Sequence, residues 1–112
     1  MLIADDRART RHALRAVFST AAGLDVIGEA GDGEEALQEI ARLRPDVVVL
    51  DVCMPRLDGV AATSEIKARW PSVRVVAHSM AVERAAECLS AGADAFVPKG
   101  APIAELLAAL SR

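Results

Sequence analysis

A chain of 112 residues with 53% hydrophobic content is the size of one domain and can bury a core. Its formal net charge of −3 excludes a general polyanion-binding surface, and no apolar run approaches the ~20 residues of a membrane span. The two cysteines, Cys53 and Cys88, make neither a disulfide framework nor a zinc site of about four clustered ligands. Reduced thiols and a cytoplasmic location are the expectation.

The predicted elements alternate without a break. Leu2-Ile3-Ala4 reads as a strand running straight into Asp5-Asp6, with no basic leader or signal-type core before it. So early a start leaves that strand short, which suggests a native chain that is longer at this end. Leu14, Val17, Phe18 and Ala21 then fall at i, i+3, i+4 and i+7, one face of a helix. Arg7, Arg9, Arg11 and Arg15 surround its start, as a solvated face or a docking edge for a partner. Leu24 to Ala30 reads as a second strand. Gly31-Asp32-Gly33 makes a turn in which Asp32 caps the next helix, with Glu35 at the third helical position. That helix is expected to bury Leu37, Ile40 and Ala41 and to stop at Arg44-Pro45.

Val47 to Leu50 is continuously apolar, as a strand covered on both faces should be, and runs into Asp51. Pro55 and Gly59 bracket a loop, and a helix carries Val60 to Trp70 until Pro71 ends it. Val73 to His78 is the fourth strand and runs into Ser79. Val82, Ala85, Ala86 and Leu89 share a helical spacing closed by Gly92. Ala95 to Pro98 runs into Lys99, and Pro102 opens a last helix with Ile103, Leu106, Leu107 and Leu110. The apolar stripes of these last two helices are assigned to the core.

Five strand–helix units, joined by right-handed crossovers, give a doubly wound parallel α/β sheet covered by helices on both faces. The match is to the flavodoxin-like (βα)5 order 2-1-3-4-5, as a single domain over residues 1–112. In that order the first and third strands are neighbours, so Asp6 and Asp51 lie side by side. Ligands of such sheets bind beyond the carboxyl ends of the strands. Asp5, Asp6, Asp51, Ser79 and Lys99 all stand at those ends. Each alone is ordinary turn, cap or surface chemistry; together they make a site for a divalent cation and a phosphoryl group. Three close carboxylates raise one another's pKa unless a cation offsets them, and Mg²⁺ is held by one or two carboxylates plus phosphate. Asp51, lying deepest, can act as a nucleophile on phosphorus, with Lys99 and Ser79 neutralising and positioning the transferred group.

The whole chain resembles the receiver domains of two-component response regulators, the CheY-like family. The resemblance rests on Asp5-Asp6, on Asp51-Val52-Cys53-Met54-Pro55 followed by Asp58-Gly59, on Ser79, on Ala91-Gly92-Ala93, and on Phe96-Val97-Pro98-Lys99. It implies that Asp51 is the phosphoacceptor. It also implies that Asp6 is the principal ligand for Mg²⁺ (or Mn²⁺), with Asp5 and Asp51 assisting and the Cys53 backbone carbonyl completing the set. Ser79 and Lys99 are implied to stabilise the phosphoryl group, and Phe96 to turn inward with Ser79 as a switch. The implied partners are a sensor histidine kinase or phosphotransfer protein, and a second copy on phosphorylation. The implied output is transcription, through a helix-turn-helix domain absent from this chain. No nucleic acid or membrane contact is expected of this domain, and no catalysis beyond its own phosphotransfer and dephosphorylation.

The sequence departs from that pattern at three places. Met80 replaces a usually small residue and is expected to narrow the approach to Asp51 without blocking it. Cys53 and Ala81 are poor at placing a hydrolytic water, which suggests a long-lived phosphoryl group. Gly100 stands where many relatives carry a cis-bonded proline, leaving the Lys99-Gly100 bond open to either isomer. Three rival readings stand beside the leading one. They are a pseudo-receiver that only binds partners, a stand-alone phosphorelay adaptor, and a Mg²⁺-dependent phosphohydrolase, for which Cys53 occupies the place of a needed second acid.

Overall fold

The computed structural model describes residues 1–111. Strand β1 (Leu2–Ala4) and helix α1 (Ala8–Phe18) open the chain, followed by β2 (Gly28–Ala30), α2 (Gly33–Leu43) and β3 (Val47–Leu50). Then come α3 (Gly59–Arg69), β4 (Arg74–Ser79), a 3-10 turn (Val82–Arg84) running into α4 (Ala85–Ser90), β5 (Ala95–Pro98) and α5 (Ile103–Leu110). All strands are parallel in the order β2-β1-β3-β4-β5, as the alternation predicts. Among the described residues no helix is long and apolar enough to cross a membrane.

The strands sit between two cores because their residues alternate faces. Leu2, Val48, Leu50, Val75 and Ala77 meet Ala36 and Ile40 of α2, Ala62 and Ile66 of α3 and Cys88 of α4. Ile3, Val47, Val49, Val76 and Val97 meet Leu14 and Phe18 of α1 and Leu106 and Leu110 of α5. Both faces of β1 and β3 are therefore dry, which is why these runs are uninterrupted by polar residues.

The helix ends follow their local chemistry. Asp32 accepts from the Glu35 amide at 2.8 Å, the cap read from the sequence. Asp58 does the same for α3 from the Ala61 amide at 2.9 Å. Arg44 ends α2 in the left-handed region at φ 49. A Cβ on Gly33 would lie 1.9 Å from the Leu57 carbonyl oxygen, so only glycine lets the start of α2 pack on the loop after β3. Trp70 follows α3, with the Arg69 guanidinium 4.5 Å from its ring centroid.

The structure departs from expectation in three details and decides one point that the sequence leaves open. The second strand is only Gly28–Ala30; Leu24 and Val26 instead pack beside the α1–α5 core, and the Asp25 carbonyl accepts from the N-terminal ammonium at 2.8 Å. In α2 the buried residues are Ala36 and Ile40, while Leu37 is half-buried and Ala41 exposed. Among the described residues no peptide bond is cis, so Lys99-Gly100 is trans. The fourth helical segment does not spend its apolar stripe on the core. Val82 is 54% and Leu89 49% exposed, and Cys88 alone is buried, with Val82 lying in the 3-10 turn rather than in the helix. Ile103 of α5, at 44%, also faces solvent.

Candidate functional site

Backbone pairing carries each functional side chain to the same edge. The ladder continues past the strands: the Asp5 amide donates to Ala30, Asp51 to Ala4, and Lys99 to Ser79, at 3.0, 2.9 and 3.0 Å. The polar residue at each strand end is thereby held in register with its neighbours. A cavity of about 310 Å³ opens there, lined by Asp6, Arg7, Asp51, Cys53, Ser79, Met80, Ala81 and Lys99.

Asp5 and Asp51 are buried, Asp6 is exposed, and each of the three offers an oxygen within 4.8 Å of the others'. Lys99 supplies the counter-charge, its ammonium 2.8 Å from Asp5 and 3.3 Å from Asp51. Burial works against that ammonium, but the bond to Asp5 and the charge of Asp51 outweigh it, and the Lys99 pKa is raised. Asp5 is fixed further by accepting from the Arg7 amide at 2.9 Å, and its backbone carbonyl accepts from Arg11 Nη1 at 2.6 Å. The oxygen-only donor set, exposed on one side, fits a hard divalent cation.

The other sequence-predicted residues fall around this centre. Ser79 is buried, and its Oγ accepts from the Ala81 amide at 3.1 Å, which folds the loop after β4 back on itself. Met80 is 70% exposed and borders the mouth without closing it. Cys53 is exposed at the rim, its amide 3.5 Å from Asp51 Oδ1. Phe96 is half-buried against the α2–α4 core, one strand across from Ala77. Cys88 is sealed in that core, where burial pushes its thiol pKa up and leaves it inert.

Three features escaped the sequence reading. His78 is buried on β4, where burial first, and then the Lys99 ammonium, hold its pKa below the usual value against the pull of Asp5 and Asp51. A polar residue inside an apolar strand was the available signal. Arg84 reaches from the start of α4 to Asp58 at 3.3 Å and to Glu87 at 2.9 Å, tying α4 to the start of α3. Of the four arginines around α1, Arg11 and Arg15 share Glu29 of β2 at 2.9 and 2.7 Å and so brace α1 on the sheet. Arg7 alone among the four borders the cavity.

Comparison with known proteins agrees with this geometry. The family model described as "Response regulator receiver domain" matches residues 1–111. The response regulator GacA of Pseudomonas viridiflava is 36% identical over 112 residues, spanning 98% of this chain and 52% of the relative. A protein-glutamate methylesterase/protein-glutamine glutaminase of Alkalilimnicola ehrlichii is 36% identical over 101 residues, 88% of this chain and 26% of that protein. The chain thus spans about half or less of these curated relatives. Among solved structures, the CheX–CheY–BeF3–Mg complex from Borrelia burgdorferi superposes with a TM-score of 0.87 at 33% identity, covering 97% of this chain and 84% of the matched one.

Proposed function

The chain belongs to the response-regulator receiver family, and on that premise we propose that Asp51 takes a phosphoryl group from a phosphohistidine on a sensor kinase or phosphotransfer protein. One observation carries this reading: three carboxylates within 4.8 Å of one another, two of them paired with Lys99, at an open cavity.

Asp51 is the nucleophile, buried enough to be poorly hydrated yet reachable through the mouth. Asp6, with Asp5, Asp51 and the Cys53 carbonyl, is the ligand set for Mg²⁺ or Mn²⁺. When bound, the cation neutralises charge on the phosphoryl oxygens during transfer. Lys99 shifts its share of Asp51 to a phosphoryl oxygen while keeping Asp5. The Ser79 hydroxyl leaves its contact with the Ala81 amide and donates to another phosphoryl oxygen. That movement draws the loop after β4 inward, and Phe96 follows into the space vacated.

The outcome is a two-state change of α4 and β5, read by an output that we assign to transcription and by pairing with a second copy. Residues 1–112 act as one receiver domain in the cytoplasm. The phosphoryl group is long-lived because neither Cys53 nor Ala81 offers a good partner to a hydrolytic water. The open mouth beside Met80 counts against a pseudo-receiver.

Intact mass after incubation with acetyl phosphate and Mg²⁺ tests the reading. One phosphate-sized gain, absent in Asp51→Asn, supports it. No gain with Mg²⁺ binding intact refutes it and leaves a partner-binding module. Decay of the gained mass should quicken in a Cys53→Asn, Ala81→Glu double variant; an unchanged lifetime sinks the hydrolytic-water argument.

A further inference from the structure

We propose that Arg7 selects the phosphodonor: its guanidinium holds the departing carboxylate of a small acyl phosphate at the cavity mouth. This rests on Asp51 being the acceptor, and it adds a substrate class that Asp5, Asp6 and Lys99 do not discriminate.

Arg7 borders the cavity with Asp6, Asp51 and Lys99. Its backbone is fixed, since its amide donates to Asp5 Oδ1 at 2.9 Å and its carbonyl accepts from the Arg11 amide at 3.1 Å. Its guanidinium, in contrast, has no ion pair or hydrogen bond among the described residues. Arg11 and Arg15 are spent on Glu29, Arg42 on Glu39, and Arg84 on Asp58 and Glu87. Helix stability does not account for Arg7 either. No acidic residue lies in the first turn of α1 and no side chain caps it, and a cation at this end opposes the helix dipole.

Transfer chemistry supplies the role. The attacking and leaving atoms lie roughly in line through phosphorus. Asp51 attacks from the base, so the leaving atom faces the mouth. There Cys53, Met80 and Ala81 have no charged side-chain donor to offer, and Asp6 repels an anion. Lys99 is engaged below by Asp5 and Asp51. Arg7 is the remaining cation of the cavity lining.

For an acyl phosphate the balance is simple. An Asp51 carboxylate oxygen forms the new bond to phosphorus. The bond from phosphorus to the acyl oxygen breaks, its electron pair stays on that oxygen, and a carboxylate leaves. A planar guanidinium meets a carboxylate through two parallel hydrogen bonds. Phosphoramidate, whose nitrogen is already protonated, releases neutral ammonia, and a protonated phosphohistidine releases neutral imidazole. Neither gives the guanidinium an anion to hold. Arg7 therefore favours phosphorylation by small acyl phosphates and leaves transfer from a kinase nearly unchanged.

The test compares wild type, Arg7→Ala and Arg7→Lys, with acetyl phosphate and with phosphoramidate, at saturating Mg²⁺ whose Kd is measured for each variant. The expected result for Arg7→Ala is a rate about tenfold lower with acetyl phosphate, the scale of one charge-assisted pair. With phosphoramidate the change should stay below about twofold, and Arg7→Lys should recover part of the loss. Equal losses with both donors, no loss with either, or a loss that only tracks Mg²⁺ Kd would overturn the role of Arg7. A wild type inert to both donors overturns the assignment of Asp51 itself, and this proposal with it.

Discussion

Helices α2 and α4 cover the same face of the sheet and are held to it in opposite ways. The eleven residues of α2 start from a side-chain cap at Asp32, carry Glu34 and Glu35 in the first turn and Arg42 in the last, and bury Ala36 and Ile40 completely. Every local preference agrees with the packing. The six residues of α4 follow a 3-10 turn, have no side-chain cap, and bury Cys88 alone. What fixes its start is the partly exposed pair of Arg84 with Asp58. The segment proposed to move is anchored lightly, and α2, which the proposal leaves in place, is anchored along its length.

The largest test of that contrast is Ile40→Ala, which should destabilise by about 2–5 kcal/mol in urea unfolding because it opens a cavity in a closed core. Leu89→Ala, on the exposed side of α4, should cost less than about 0.5 kcal/mol. Comparable losses would mean that α4 is docked as firmly as α2.

Next comes acid. The folded pKa of His78 lies below its unfolded value near 6.5, with the Lys99 ammonium and the Asp5 and Asp51 carboxylates as the charges around it. The unfolded chain then binds the extra proton first, so this stability is complete above about pH 6.5 and is lost as pH falls through the folded pKa. Urea midpoints measured from pH 7.5 to 5 should fall more for wild type than for His78→Leu. Hydrogen exchange should quicken first at the end of β4, from which α4 hangs, and later in α2. Parallel acid profiles for the two proteins would remove His78 from the account.

The smallest expected effect belongs to Arg84→Ala. An exposed pair contributes at most about 1 kcal/mol, so the midpoint should barely move while amide exchange in α4 accelerates against a constant α2. Unchanged exchange would show that the pair does not restrain α4.

How much of this was legible differs by residue. The site's carboxylates, Ser79 and Lys99 could be read because dry strands such as Val47 to Leu50 stop abruptly at a polar residue, and the parallel ladder then fixes where that residue stands. The direction of the α4 stripe could not. Spacing puts Val82 and Leu89 on one face of a continuous helix, but Val82 lies in a 3-10 turn before α4 and both are exposed. The arginines of α1 were equally ambiguous, because Glu29 chooses Arg11 and Arg15 from a distance in sequence that no local pattern encodes. The second strand was read too long because Leu24 and Val26 are as apolar as strand residues yet serve the α1–α5 core from a loop.

Trp70 is the single tryptophan of the chain. Helix α3 begins against the backbone of Val52, beside Asp51, and runs away from it to Trp70. Eleven helical residues put roughly 16 Å between the two ends. The indole, stacked under Arg69, packs on the α2–α4 core at the far end of α3 from the proposed phosphoacceptor. Its emission therefore reports first on whether the chain is folded, and only through the length of α3 on the proposed site.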